Sequence, residues 1–350
     1  MITRSELEAR VRRGEPVRKE SLAGLDLNGA ALAGGVFERV DLRGASLGGA
    51  DLSESIFEGC DLSGAKLPAA CMAHTLWSKC VFEGVVADSV QAVYANFVEC
   101  RFRSAVVSRS DLRYATFAQG PLVEVDLRSC DLTKTNFADC PEVAADFAGA
   151  TLVETVFVQG DLSRSSFGTV SARKVVFVKC LLGAQELSGA ILPQCQFLEC
   201  DLGGARFDDA QLETCGFRAT NLTGASFCRA TAQNALFAEA TLDRAALQQA
   251  RLTQAIFASA RLVEADFAGA QMEQAVFIGA EASGARFVGA DLTYADFSGA
   301  RLVAADFSNA TLFRTKLHRV DDQGAVFSSR AAALGDDPEL LEAELWRPNI

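Results

Sequence analysis

Eleven cysteines and two histidines are the residues of this sequence best suited to bind a metal ion or act as nucleophiles. A zinc site needs three or four such side chains that converge in a tetrahedron. Here His74 and His318 are separated by most of the chain, and nine of the cysteines recur at positions whose numbers end in 0 or 5. We interpret these cysteines as small core residues that remain thiols. We expect both histidines to be exposed on the surface.

The sequence also lacks the motifs that mark common enzyme sites. It has no glycine-rich phosphate-binding loop, no G-x-S-x-G nucleophile elbow and no metal-spaced histidine cluster. Most aspartates come directly before a leucine or phenylalanine, as Asp41 and Asp306 do, and such side chains bond the local backbone at chain corners. We therefore predict no catalytic residue, no metal, no cofactor and no enzyme activity.

A period of five residues organises the chain. Leucine or phenylalanine occupies most positions whose numbers end in 2 or 7, from Leu22 to Phe327. The residue two positions earlier is usually small, and from Ala225 to Ala310 it is always alanine. Because residues two apart lie on the same side of an extended segment, each pentapeptide buries one large and one small side chain. Only a chain that turns a corner every five residues keeps both inside.

Aromatic residues recur at every twentieth position, so four pentapeptides make one coil. Stacked coils about 4.8 Å apart align such residues in ladders. The pattern predicts an all-β solenoid of about 15 coils, with four sides, over residues 20–329. The predicted thiol ladder consists of Cys60, Cys80 and Cys100. The predicted aromatic ladder includes Phe97, Phe117, Phe137, Phe157, Phe177, Phe197, Phe217, Phe237, Phe257, Phe277 and Phe297.

The segments Ala50-Asp51-Leu52-Ser53-Glu54 and Ala295-Asp296-Phe297-Ser298-Gly299 resemble the A(D/N)LXX pattern of pentapeptide-repeat proteins. This resemblance covers about residues 20–329 and implies a right-handed quadrilateral β-helix. The family includes DNA-mimicking proteins that protect gyrase from quinolones, toxin-immunity proteins and accessory proteins of type VI secretion. Gyrase-binding members typically interrupt the helix with loops, whereas the repeat here keeps one phase throughout.

Both ends of the repeat are predicted to carry a short helix. Residues 1–19 are expected to form a capping helix, and Thr3 to Glu15 resembles the start of secretion-linked family members. Residues 330–350 are expected to form a helical cap or a homodimer contact that uses Leu341, Leu345 and Trp346. The sequence therefore favours a protein-binding adaptor for type VI secretion effector loading. A DNA-mimicking modulator of gyrase or another topoisomerase is the alternative.

The formal net charge of -12 argues against direct binding to nucleic acid or to anionic lipid. We expect a cytoplasmic protein with protein partners and no membrane contact, because no signal peptide or spanning apolar segment is visible. One basic cluster is a candidate docking site for an acidic partner, although scattered solvating charge is the simpler interpretation. It comprises Arg101, Arg103, Arg109, Arg113 and Arg128.

Breaks in the repeat are further candidates for function. Glu142 falls at an inward position after Pro141, and we expect it to swing outward in a local bulge. Asp322 replaces an apolar residue near the open end, where water can reach it. Ala87 is small where leucine or phenylalanine is usual, and Phe82 on the neighbouring side is expected to restore the volume.

Overall fold

The computed structural model describes residues 2–168 and 170–346. Backbone contacts divide the chain into two compact units, residues 1–181 and 182–350. Each unit is a right-handed, four-sided β-solenoid, and together they contain about 16 turns, which confirms the predicted fold class. Within the described ranges, neither helix is long and apolar enough to cross a lipid bilayer.

Most corners of the described solenoid contain a residue with positive φ. In the pentapeptide around Leu42, the amide of Ala45 donates to the Leu42 carbonyl at 3.0 Å, and Gly44 has a φ of 63°. This is a type II turn, whose third residue needs a positive φ. Tyr94 and Tyr114, both with a φ of 60°, adopt the same conformation at the same place in their pentapeptides. Side chains at this position therefore stand on the edges between adjacent sides.

The regular elements are short, because a strand ends wherever the chain turns. The first unit contains α1 (Arg4–Arg12), β1 (Val17–Arg18), β2 (Val36–Glu38), β3 (Ile56–Glu58), β4 (Leu76–Ser78), β5 (Asn96–Val98), β6 (Phe102–Arg103), β7 (Thr116–Ala118), β8 (Leu122–Asp126), β9 (Asn136–Ala138), β10 (Val143–Asp146), β11 (Thr151–Val153), β12 (Val156–Val158), β13 (Ser171–Arg173) and β14 (Val176–Val178). The second unit contains β15 (Gln196–Leu198), β16 (Asp306–Phe307), β17 (Val326–Phe327) and α2 (Pro338–Leu345).

One long parallel sheet forms a side of the first unit. Its strands follow the order β1-β2-β3-β4-β5-β7-β9-β12-β14, and neighbours pair with a step of twenty residues. Phe117 therefore lies against Phe137 and Phe137 against Phe157, with ring centroids 5.1 and 4.7 Å apart and rings within 7° of parallel. These stacks confirm that the aromatic residues form a ladder.

A second aromatic ladder, which we did not predict, lines another side of each unit. The rings of Phe147 and Phe167 stack at 5.2 Å, and those of Phe207 and Phe227 at 4.8 Å. Phe147 meets Phe157 of the first ladder edge to face, with centroids 5.9 Å apart and rings perpendicular. The two ladders interlock across the core, which suits the quadrupoles of aromatic rings.

Among the described residues, buried hydroxyl and thiol groups of the core lie at corners, where they donate to a main-chain carbonyl. The hydroxyl of Thr155, which is fully buried, donates to the carbonyl of Leu132 at 2.8 Å. Cys60 donates in the same way to the carbonyl of Phe37 at 3.5 Å. Each donor lies 23 residues after its acceptor, one coil and a corner later. Threonine and cysteine can therefore replace alanine there without an unsatisfied polar group.

The irregular stretch after Pro141 shifts the chain by one residue. Val143, rather than Glu142, pairs with Leu122 of β8, and the normal register returns within β10. Glu142 therefore points outward, as predicted, and forms an ion pair with Arg164 at 2.5 Å.

The volume lost at Ala87 is only partly restored. Phe82 and Phe102 stack at 4.6 Å, which supplies bulk on the neighbouring side as predicted. An apolar cavity of about 20 Å³, lined by Ala87 and Val107 among others, nevertheless remains in the first unit.

The N-terminal end of the first unit is sealed by α1. Thr3 and Glu6 form the predicted capping box, in which the Thr3 amide donates to the Glu6 carboxylate at 2.8 Å. Leu7 and Val11 are buried against the first coil. The guanidinium of Arg4 donates to two main-chain carbonyls of that coil, each at 2.7 Å. The helix thus covers both the apolar and the polar groups that an open coil would expose.

The C-terminal end of the second unit differs, because α2 buries none of its side chains. The helix begins at Pro338 as predicted, with Asp337 as its N-cap. The last coil is covered instead by Arg330, whose guanidinium lies 4.5 Å from the ring centroid of Phe327 and pairs with Asp322. This ion pair accounts for an aspartate at an inward position.

His318 corrects the prediction that both histidines are exposed. Only 6% of its surface is accessible. The amide of Asp337 donates to its Nδ1 at 3.1 Å, and its Nε2 lies 3.4 Å from the carboxylate of Glu344. The C-terminal segment folds back over this outward position, which the repeat pattern could not reveal. His74 is exposed, as predicted.

Candidate docking surface

The predicted ladders lie in the core and offer no reactive group. Hydrogen bonding to Cys80 raises the pKa of Cys60, and hydrogen bonding to Cys100 raises the pKa of Cys80 to about 12. These thiols therefore stay protonated at neutral pH, whereas a nucleophile or metal ligand must be a thiolate. Among residues 2–168 and 170–346, no three cysteine, histidine or carboxylate side chains are grouped to hold a metal ion.

The five arginines of the predicted basic cluster do not form one positive surface. Their places in the repeat distribute them over three sides of the coil. Arg109, Arg113 and Arg128 each pair with an aspartate at 2.7 Å or less. Of these five arginines, Arg101 and Arg103, which share one side, have no ion pair within 4.0 Å among the described residues. The structure thus reduces the candidate cluster to two residues.

An uncharged face is the most distinctive surface of the first unit. It is the outer side of the long sheet from β4 to β14, where the first and third residue of each strand point outward. None of these twelve side chains is ionisable, on a chain with a net charge of -12. We call this surface the apolar strip. Its members are Leu76, Ser78, Asn96, Val98, Thr116, Ala118, Asn136, Ala138, Val156, Val158, Val176 and Val178.

The end of the strip nearest residue 181 is its most apolar part. Val156, Val158, Val176 and Val178 stand in two adjacent strands that pair in register. All four are partly exposed although they are aliphatic. Soluble proteins rarely leave such patches uncovered unless they bind something.

Charged residues lie only on the two edges of the strip. One edge carries Lys134 and Lys174, and Lys134 pairs with Glu154 at 3.6 Å. The other edge carries Lys79, which lies 3.9 Å from Glu99. Near the valines the edges carry Lys174 and Lys179 together with Glu154.

Stacked aromatic side chains continue the edge that carries Lys134. The rings of His74 and Tyr94 are 5.0 Å apart, and those of Tyr94 and Tyr114 are 4.7 Å apart. The ammonium of Lys134 lies 5.5 Å from the Tyr114 ring. Tyr94 is 45% exposed and is tied to the strip, because the Asn96 side chain donates to its carbonyl at 3.1 Å. Exposed tyrosines beside an aliphatic surface are typical of protein interfaces.

Sequence reasoning missed this surface although its signal was present. Positions 94 and 114 are both tyrosine at the twenty-residue step, and positions 156, 158, 176 and 178 are all valine. As a signal of burial, that step identifies inward residues only. Applied to outward residues, it would have identified the uncharged side.

Coils that stack on one another around ladders of core side chains define a repeat protein, in which each coil contacts only its neighbours. The family model of pentapeptide repeats, in 8 copies, matches residues 21–59, 46–84, 186–218, 220–258, 255–293 and 290–328. These segments cover more than half of the chain, which therefore belongs to the pentapeptide-repeat family. Members of this family are generally structural or binding proteins. No curated protein sequence matches the chain.

Several solved structures resemble the chain in fold. A trypsin-treated form of QnrB1, a plasmid-mediated fluoroquinolone resistance protein, is 21% identical, with a TM-score of 0.33, over 56% of this chain and 98% of that one. HetL is a pentapeptide-repeat protein involved in heterocyst differentiation regulation, from the cyanobacterium Nostoc sp. strain PCC 7120. It is 20% identical, with a TM-score of 0.17, over 90% of this chain and 97% of HetL. A pentapeptide-repeat protein from the Arabidopsis thaliana thylakoid lumen is 18% identical, with a TM-score of 0.19, over 37% of this chain and 71% of that protein.

Proposed function

We propose that this protein is a non-catalytic scaffold that binds a partner protein on the apolar strip. The observation that carries the proposal is the run of twelve outward positions without an ionisable side chain on an otherwise acidic chain. Charged residues keep protein surfaces soluble. An uncharged side therefore favours aggregation unless a partner covers it.

The strip is also rigid before a partner arrives. Its strands are held in register on both sides, as in the bond from the Thr116 amide to the Ala95 carbonyl at 2.9 Å. The stacked core beneath fixes their positions. A partner therefore has to order little of the scaffold on binding, which favours affinity.

As the cellular role of this scaffold we favour an adaptor that loads or presents effectors for type VI secretion. The support is the resemblance of Thr3 to Glu15 to secretion-linked family members. The alternative of DNA mimicry is less well supported, because a mimic must present carboxylates in place of phosphates. Many carboxylates here are engaged by arginine instead, as Asp209 is by Arg229 at 2.6 Å and Asp111 by Arg113 at 2.7 Å.

A second copy of the chain is one partner that we propose, through the C-terminus. Leu345 and Trp346 are 62% and 71% exposed, and Leu341 is only half-buried. Exposed leucine and tryptophan on a short helix favour a contact between protein chains.

Affinity capture from the native host tests the docking role. The tagged chain should retain a specific protein that is lost when Val158→Glu and Val178→Glu place carboxylates on the strip. Val153→Glu, an outward substitution in β11 on another side of the same unit, is the matched control and should retain it. If the native chain, the strip variant and the control all captured the same amount of that protein, docking on the strip would be refuted.

The role as a type VI secretion adaptor has a separate test. In a host with a type VI apparatus, deletion of the gene should abolish secretion of one effector without changing its synthesis. A gyrase supercoiling assay with purified chain should show no inhibition and no protection from quinolones. Inhibition in that assay would favour the DNA-mimic alternative.

A further inference from the structure

Polar contacts with only two residues tie the C-terminal segment to the second unit. Leu334 still pairs with the solenoid through its backbone, since its amide donates to the carbonyl of Thr315 at 2.8 Å. Beyond Leu334, α2 buries none of its side chains. Among the described residues, every hydrogen bond and ion pair that joins residues 335–346 to the solenoid ends on His318 or Arg319.

The contacts of His318 select one protonation state of its ring. The amide of Asp337, the N-cap of α2, donates to Nδ1 at 3.1 Å, so this nitrogen carries no proton. Nε2 lies 3.4 Å from the carboxylate of Glu344 and supplies the donor there. The attached segment therefore requires a neutral imidazole with its proton on Nε2.

A second proton on the ring would disrupt this arrangement. It would place an N–H group on Nδ1 directly against the amide N–H of Asp337. Only 6% of the surface of His318 is accessible, so the new charge would be poorly hydrated. Arg319 already occupies the Glu344 oxygen that faces Nε2, at 2.6 Å, so two cations would compete for one acceptor. Detachment of the segment relieves these conflicts, because it returns the imidazolium to water.

The carboxylates around the ring do not outweigh these losses. Asp336 lies 3.7 Å from Nδ1, but its side chain is 57% exposed and it already accepts from the Arg319 amide at 2.8 Å. Glu344 is also partly exposed, and ion pairs with exposed carboxylates contribute little. Hydrogen bonding from Arg319 lowers the pKa of Glu344, so this carboxylate stays charged where histidines titrate.

An open groove of about 840 Å³ beside His318 connects the ring with solvent. Lys316 in this groove pairs with Asp296 at 3.1 Å, which leaves neither charge free to fix the state of the ring. The remaining ionisable residues that line the groove are Asp336, Asp337 and Glu339.

We propose that His318 is a pH-sensitive latch, whose neutral ring holds residues 335–346 on the solenoid and whose protonation releases them. The released state binds one more proton than the attached state. The attached fraction therefore falls as the pH decreases through the range of about 5–8 in which histidines usually change charge. The latch lies in the second unit and does not depend on the docking role of the apolar strip.

Hydrogen exchange of the full chain, measured by mass spectrometry, tests the latch. An isolated helix as short as α2 is not stable, so release should expose its amides. After correction for intrinsic exchange rates, residues 335–346 should lose protection by about tenfold or more between pH 7.5 and pH 5.5. Peptides around Phe277 in the core should keep their protection, which distinguishes release from unfolding.

His318→Gln separates the ring from the other titratable groups. Glutamine can accept from the Asp337 amide and donate to Glu344, but it does not titrate. This variant should keep residues 335–346 protected at both pH values. His74→Gln, which removes the exposed histidine of the first unit, is the matched control and should retain the full response of the native chain.

Three results would overturn the latch. Equal protection of the segment at both pH values in the native chain would show that the ring and the segment are not coupled. Stronger protection at pH 5.5 would show that Asp336 and Glu344 hold the imidazolium in place. These two results need no variant of His318. The third is an undiminished response in His318→Gln, which would assign the pH dependence to the carboxylates.

Discussion

The ring of Phe157 lies 4.7 Å from that of Phe137, with an angle of 4° between the two planes. The two residues occupy neighbouring strands in exact register of the repeat, and each ring supports the next along the ladder. A large fraction of the core consists of such contacts. The loss of one ring should therefore destabilise the adjacent coils.

Phe157→Ala should lower the free energy of unfolding by about 3–5 kcal/mol, because it removes a buried ring from a ladder that cannot close over the gap. Chemical denaturation monitored by circular dichroism measures the change. Val158→Ala, one residue away but outward, should cost far less. If both substitutions lowered the free energy of unfolding by a similar amount, Phe157 would not be the inward residue of the two.

Thr155→Val should destabilise the protein by about 0.5–1.5 kcal/mol, although the two side chains have nearly the same shape. The valine leaves the carbonyl of Leu132 without the hydroxyl that donates to it at 2.8 Å. Thr151→Val, an outward substitution in β11, should change stability by less than about 0.5 kcal/mol. The same denaturation experiment compares them, and equal effects would exclude a structural role for the buried hydroxyl.

Ala87→Val should stabilise the protein by about 0.5 kcal/mol, because it adds two methyl groups beside a cavity of about 20 Å³. Thermal unfolding measures the change. Destabilisation would mean that the space between Ala87 and Val107 is already filled in solution.

Asp41 should contribute to acid sensitivity. Hydrogen bonds from the Arg43 side chain lower the pKa of Asp41 to about 2, below its ordinary value of 3.8. A carboxyl whose pKa falls on folding stabilises the native state above its unfolded pKa, and that contribution is lost as the pH falls from about 4 towards 2. Asp41→Asn should therefore be less stable than the native chain at pH 7, and the difference should disappear as the pH falls below about 2. A constant difference across this range would disprove the linkage.

Much of the fold could be predicted from the sequence because the repeat determines register. A step of twenty residues places Phe117, Phe137 and Phe157 in neighbouring strands, and the capping box at Thr3 fixes where α1 begins. The burial of His318 could not be predicted in this way, because it depends on where a non-repeating segment folds. The outward position of Glu142 was predictable, whereas the pairing of Val143 in its place required the structure.

The docking surface was less accessible to sequence reasoning than the fold. Cysteines and arginines attract attention as candidate site residues, yet Cys80 is buried and Arg128 is paired with Asp126 at 2.7 Å. The apolar strip is defined by the absence of charge at positions such as Val158 and Val178, and it becomes a surface only when strands are stacked.

Site-specific photo-crosslinking in the host cell tests the central claim most directly. A photoreactive phenylalanine analogue replaces either Val158 on the strip or Val153 on another side, and crosslinked species are compared by mass. Our account predicts efficient crosslinking to protein from position 158 and little from position 153. Equal yields at both positions, or crosslinking from position 153 alone, would contradict it.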